Sequence, residues 1–163
     1  EYRRQRQMCI RDRASPVPVI GFAGAPFTLA SYAIEGGPSN NFARTKALMF
    51  NKPDAWHKLC EKLAVIVTRH LRAQAEAGVQ ALQVFDSWVG ALNASDYREF
   101  ALPHTQKIFD ELNDLHIPTI HFGTGNATLL SDMTEAGGDV IGLDWRVRLD
   151  IGWEQVGNDR AIQ

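Results

Sequence analysis

GFAGAPFTLASYAIEGG, residues 21–37, decides how the rest of the chain is read. An apolar run over residues 17–22 leads into it. Gly24 and Pro26 follow, and Thr28 opens a helix-like segment that carries Tyr32. A strand ends, the backbone turns tightly, and a helix begins with a phenol on it. Small residues at the carboxyl end of a strand let a large ligand approach the backbone closely.

Working outward, residues 17–23 are β-branched and apolar on both faces, as parallel strands covered by helices are. The helix over residues 28–34 is stopped by Gly36, Gly37 and Pro38. A second helix is predicted over residues 40–50, and Asn51, Lys52 and Pro53 break it. Pro53 suits the first position of a long helix, with Asp54 in its first turn. Trp56, Leu59, Cys60, Leu63, Val67, Leu71 and Ala75 recur along it at helical spacing, and Gly78 ends it. Cys60 on this apolar face reads as a buried structural thiol. His57 and His70 read as surface or helix-packing residues.

The next strand, residues 79–85, ends in Asp86, Ser87 and Trp88. A helix opening at Ala94-Ser95-Asp96 runs to about residue 102, and Pro103 restarts it. A strand over 117–122 ends in Gly123-Thr124-Gly125, read as a tight turn in preference to a phosphate loop. A helix over 127–136 follows, then a strand over 140–143 ending in Asp144-Trp145. A short helix over 149–156 is closed by Gly157, and residues 160–163 begin another strand. Alternating strand and helix is the pattern of an α/β protein with a parallel sheet. A (β/α)8 barrel and an open doubly wound sheet both fit it. No GxGxxG follows any strand, so a dinucleotide fold has no support.

The N-terminal EYRRQRQMCIRDR has no helix or strand period and no apolar signal-peptide core. RRQRQMCIRD within it is what a transposase-type sequencing adapter encodes in one reading frame. Residues 1–13 are therefore read as a translated adapter, disordered and outside the fold, and residues 14–163 as part of a single domain. Residues 1–13 hold five of the 17 basic residues and two of the 19 acids, so the remainder carries a formal net charge of −5. That balance argues against a basic nucleic-acid face. Cys60 is then the one thiol, which makes no disulfide framework and suits a reducing cytoplasm. No apolar run approaches the ~18 residues of a membrane span.

Four segments carry a family resemblance: residues 21–37; ALQVFDSWVGAL at 81–92 with the YREFALPH that follows; IHFGTG at 120–125; and GGDVIGLDWRV at 137–147. Together, in this order, they resemble the uroporphyrinogen decarboxylase family, from about Pro16 to Gln163. Phe27 departs from that family's usual tryptophan, and Arg148 falls near its usual proline. The resemblance implies a partial (β/α)8 barrel with about four to five of the parallel strands present. It implies removal of the four acetate carboxylates of uroporphyrinogen III, a porphyrinogen substrate, no metal or organic cofactor, and a homodimer for the full-length enzyme.

Carried over by position, Tyr32 and Ser87 become substrate contacts, and Phe22 and Phe85 become aromatics packed against the macrocycle. On the residues alone, Tyr32 also fits a half-buried packing role, Ser87 a cap, and Phe22 and Phe85 barrel core. Asp86 matches an acidic residue beside the serine, not the family's pyrrole-facing aspartate, and Asp144 reads as a local ion-pair or turn residue. The catalytic aspartate, an arginine-rich motif and a histidine motif of the family have no match in the chain. The resemblance stops at AIQ, where the family continues into GNLDP. The expectation is thus a piece of the enzyme, inactive and aggregation-prone alone, with two open apolar sheet edges. Two rivals are a related barrel methyltransferase with zinc on His and Cys, against which Cys60 lacks an HxC partner, and a non-catalytic porphyrin-binding remnant.

Overall fold

The computed structural model describes residues 17–37, 39–157 and 159–163. The segment read as adapter, residues 1–13, lies outside the described residues. In chain order the elements are β1 (Ile20–Gly24), α1 (Pro26–Glu35), α2 (Ala43–Asn51), α3 (Pro53–Glu76) and β2 (Ala81–Asp86). After a 3-10 turn come α4 (Ala94–Phe100), α5 (Leu102–Leu112), β3 (Thr119–Gly123), α6 (Leu130–Ala136), β4 (Val140–Gly142), α7 (Leu149–Val156) and β5 (Ala161–Ile162).

All neighbouring strands pair in parallel, in the order β1-β2-β3-β4-β5. This sequential order decides between the two architectures left open by the sequence. A doubly wound sheet reverses its strand order at a switch point, whereas a barrel adds each strand beside the last. The burial agrees. Ala23, Leu82 and Val84 pack against Ala64, Val67 and Leu71 of α3 and Ile108, Phe109 and Leu112 of α5. On the opposite face Phe22 is 61% exposed and Ile20 46%. Among the described residues, helices cover one side of the sheet only, and the inner face of a partial barrel is open.

A second core lies between α1, α2, α3, α4 and α6. Phe27 and Trp56 meet edge to face at 5.9 Å, and the Trp56 indole N–H donates to the Phe100 carbonyl at 2.9 Å. Cys60 is fully buried among them, and burial, with the Asp86 charge second, pushes its thiol up to about 12. It is an inert core residue. His57 stacks on Phe100 and shares a 2.9 Å hydrogen bond with His104, while His70 is exposed.

Of the two open sheet edges expected, the outer edge of β1 is not bare at Phe22. The Gln74 side chain of α3 accepts from the Phe22 N–H at 2.7 Å and donates to the Phe22 carbonyl at 2.9 Å. A side-chain amide thus occupies a ladder position that another strand could take. Gly21 allows this approach, since a Cβ there would lie 2.5 Å from Gln74 Oε1.

Candidate active site

Barrel enzymes place their chemistry at the carboxyl ends of the strands, and here a row of rings runs from the middle of β1 to the carboxyl ends of β2 and β3. Phe22 of β1 meets Phe85 of β2 edge-on at 5.8 Å, and Phe85 meets Phe122 of β3 edge-on at 5.7 Å. Phe85 and Phe122 are register partners, and Phe122 pairs in turn with Gly142 of β4. A Cβ at Gly142 would sit 2.6 Å from the Phe122 ring, so glycine is what seats that ring against β4. The row lies on the open inner face, where a flat apolar ligand could rest on it.

Tyr32 is reached differently. It lies on α1, half exposed, with its ring edge on Trp88 at 5.6 Å; Trp88 in turn packs on Phe42 at 5.5 Å. The structure therefore brings Phe22 and Phe85 into direct contact, whereas Tyr32 joins them only through the loop that follows β2. Ser87 is in that loop, partly buried, and its carbonyl accepts from the Thr124 hydroxyl. It does not cap the next element: the 3-10 turn over Val89–Ala91 has Trp88 at its N-cap with no side-chain bond, and α4 is capped by Asn93 accepting from the Asp96 N–H. Sequence reasoning passed over Phe122 and Trp88. The signal for Phe122 was present, since it stands one residue before the end of its strand, as Phe85 does.

Asp86 ends β2 on the helix side and is fully buried. Its Oδ1 accepts from the Thr28 hydroxyl at 2.8 Å. Burial pushes its carboxyl up to about 7, with the Thr28 hydrogen bond acting the other way. Asp144 is the local ion-pair residue expected. It accepts from the Gly125 N–H and the Arg146 guanidinium, each at 2.5 Å, and is held below the usual carboxylate range by those hydrogen bonds in spite of burial. Gly125 has φ +65 and packs against Gly90, whose N–H donates to the Thr124 carbonyl at 3.1 Å. The Gly123-Thr124-Gly125 segment is therefore a tight turn whose Gly125 amide is already taken by a carboxylate.

Among the described residues, no group of three or more His, Cys, Asp or Glu side chains is placed to hold a metal. No described helix is long and apolar enough to cross a membrane.

A sequence profile described as uroporphyrinogen decarboxylase (URO-D) matches residues 7–163, which overlaps the segment read as adapter. The chain belongs to the uroporphyrinogen decarboxylase family. A uroporphyrinogen decarboxylase of Thermus thermophilus is 60% identical over 135 residues, 83% of this chain and 40% of the relative. One from Carboxydothermus hydrogenoformans is 54% identical over 153 residues, covering 94% of this chain and 44% of the relative. One from Salinispora tropica is 55% identical over 146 residues, covering 90% and 39%. The chain thus spans about two fifths of the length of these uroporphyrinogen decarboxylases. Within the family's barrel, the Phe22-Phe85-Phe122 row and the Tyr32-Trp88 pair belong to the same end of the sheet.

Proposed function

We propose that this chain supplies part of the substrate floor of an enzyme that converts uroporphyrinogen III to coproporphyrinogen III. The observation that carries the reading is the Phe22-Phe85-Phe122 row on the inner face, rising to the ends of β2 and β3, in a chain of this family. The three rings offer an apolar surface to a macrocycle, and Tyr32 and Ser87 offer hydroxyls at its margin. Each of four steps exchanges a carboxylate for a proton. An electron-rich pyrrole is protonated on carbon, and the resulting cation accepts the electron pair of the breaking bond to the carboxylate. Carbon dioxide leaves, the exocyclic carbon takes up a proton, and loss of the ring proton restores the pyrrole. An acetate has become a methyl group. The substrate is its own electron sink, so the reaction as proposed calls on no metal or organic cofactor.

A substrate with eight carboxylates calls for guanidinium partners, and the net charge of −5 over residues 14–163 does not supply an excess of them. The proposal therefore places the acid-binding arginines and the proton-handling aspartate on segments beyond those described, in a full-length cytoplasmic homodimer with no nucleic-acid or membrane partner. Residues 1–13 remain proposed as translated adapter; resequencing the gene across that junction checks this, and finding the same codons in the genome rules it out.

The direct test supplies chemically reduced uroporphyrinogen III, under argon, to the protein as its gene encodes it. Hepta-, hexa- and pentacarboxylate intermediates, then coproporphyrinogen, are expected in sequence after oxidation and chromatography, with four equivalents of carbon dioxide. Unchanged octacarboxylate would defeat the reading.

A further inference from the structure

The end of β2 and the first turn of α1 are fastened together at several points. The Ala25 N–H, just before α1, donates to the Phe85 carbonyl at 2.8 Å. The Thr28 hydroxyl donates to Asp86 Oδ1 at 2.8 Å and accepts from the Trp88 N–H at 3.3 Å. One turn further along α1, Tyr32 touches the Trp88 ring at 5.6 Å. A hydroxyl has one proton and two lone pairs, so spending the proton on Asp86 turns a lone pair toward Trp88. Ser87 lies between Asp86 and Trp88, both held by the one hydroxyl.

Asp86 is a costly way to build such a joint. It is fully buried, its charge raises the cost of burial, and its Oδ2 has no protein partner among the described residues. An apolar residue at the end of β2 would pack there without that penalty, so stability does not explain it. What an apolar residue could not do is orient the Thr28 hydroxyl.

We propose that Thr28 and Asp86 are positioning residues that fix Tyr32 and Ser87 relative to each other and so set the enzyme's grip on its substrate. This rests on Tyr32 and Ser87 being porphyrinogen contacts. Neither Thr28 nor Asp86 touches substrate; Asp86 aims the hydroxyl, and the hydroxyl holds Trp88, against which Tyr32 leans.

The test compares wild type, Thr28→Val, Thr28→Ser and Asp86→Asn, each as the full gene product, by two readouts. One is hydrogen exchange of the Trp88 amide, which needs no substrate. The other is KM and kcat for uroporphyrinogen III. Thr28→Val is expected to speed Trp88 exchange and raise KM about tenfold with a smaller change in kcat. Thr28→Ser, which keeps the hydroxyl, restores both. Asp86→Asn, which keeps the acceptor oxygen, holds KM within about twofold. The positioning role is overturned by an unchanged KM in Thr28→Val, by a serine variant as impaired as valine, or by a tenfold KM rise in Asp86→Asn. A wild type without turnover overturns the substrate reading and the positioning role with it. The exchange data would still show whether the joint exists, so the two failures are told apart.

Discussion

Asp86 concentrates the chemistry of a single residue in this chain. Its carboxyl is fully buried and is pushed up from its ordinary 3.8 to about 7 by that burial. The native state therefore keeps the proton over a range in which the unfolded chain has lost it. The sign follows: the stability associated with a neutral Asp86 is fully present below about pH 4, falls as pH rises toward 7, and is absent above that. The whole swing is on the order of 4 kcal/mol. His104 and His121, both pushed down to about 4 chiefly by burial, tilt stability the other way, since they must charge as pH falls from their ordinary 6.5. Comparing Asp86→Asn with wild type cancels the histidines. Urea midpoints are expected to shift in favour of the asparagine variant between pH 5 and pH 7.5. A difference that does not change with pH would mean Asp86 ionises as if in water. None of this was legible in the sequence. Asp86 stands at a strand end, where alternation does not say whether a side chain faces ligand or helix. The pairing with Thr28, 58 residues away, settles that it faces the helix.

At the scale of elements, Gln74 of α3 adds a pair of hydrogen bonds to the apolar packing of β1 on that helix. Gln74 is buried and makes both hydrogen bonds to the Phe22 backbone. Gln74→Leu fills the space but leaves an N–H and a carbonyl without partners, at about 1–3 kcal/mol. The expected result is a lower urea midpoint together with faster exchange of the Phe22 amide; a midpoint within error of wild type would show that water or another group takes over. The order and type of the elements were legible, because Gly36, Pro53, Gly78 and Gly157 punctuate the chain where helices stop or start. Several boundaries were not. The strand expected from residue 17 begins at Ile20, since Pro18 has no N–H to give a ladder. The helix expected from residue 40 begins at Ala43. Ser39 Oγ accepts from the Phe42 N–H at 3.0 Å, and Phe42 takes a left-handed φ of 54. The helix expected from residue 127 begins at Leu130, because the Asn126 carbonyl turns the chain by accepting from the Leu129 N–H. In each case a local hydrogen bond or a missing donor outweighs a favourable helical or strand pattern. The ring row was half legible: Phe22 and Phe85 were marked by resemblance, and Phe122 only by register.

For the whole molecule, the consequential fact is which face of the sheet is covered. Helices bury Ala23, Leu82, Val84 and Ile141, while Ile20 and Phe22 stand exposed on the other side beside Phe85 and Phe122. In a closed barrel that face is interior, filled by side chains from the strands opposite. Among the described residues nothing covers it, and a contiguous apolar patch on a parallel sheet invites a second copy. Gln74 blocks ladder extension at Phe22, so the self-association expected of the isolated chain is face to face rather than edge to edge. Ile20→Lys distinguishes the two. Ile20 is half exposed on the inner face, so a lysine there can reach water without disturbing the helix-covered core. Sedimentation of the isolated chain should show oligomers that dissociate in the Ile20→Lys variant at unchanged helix content. Oligomers that persist in Ile20→Lys but resolve when charge is placed on the β5 edge would move the contact to the edge, and the inner face would no longer explain the behaviour of the chain.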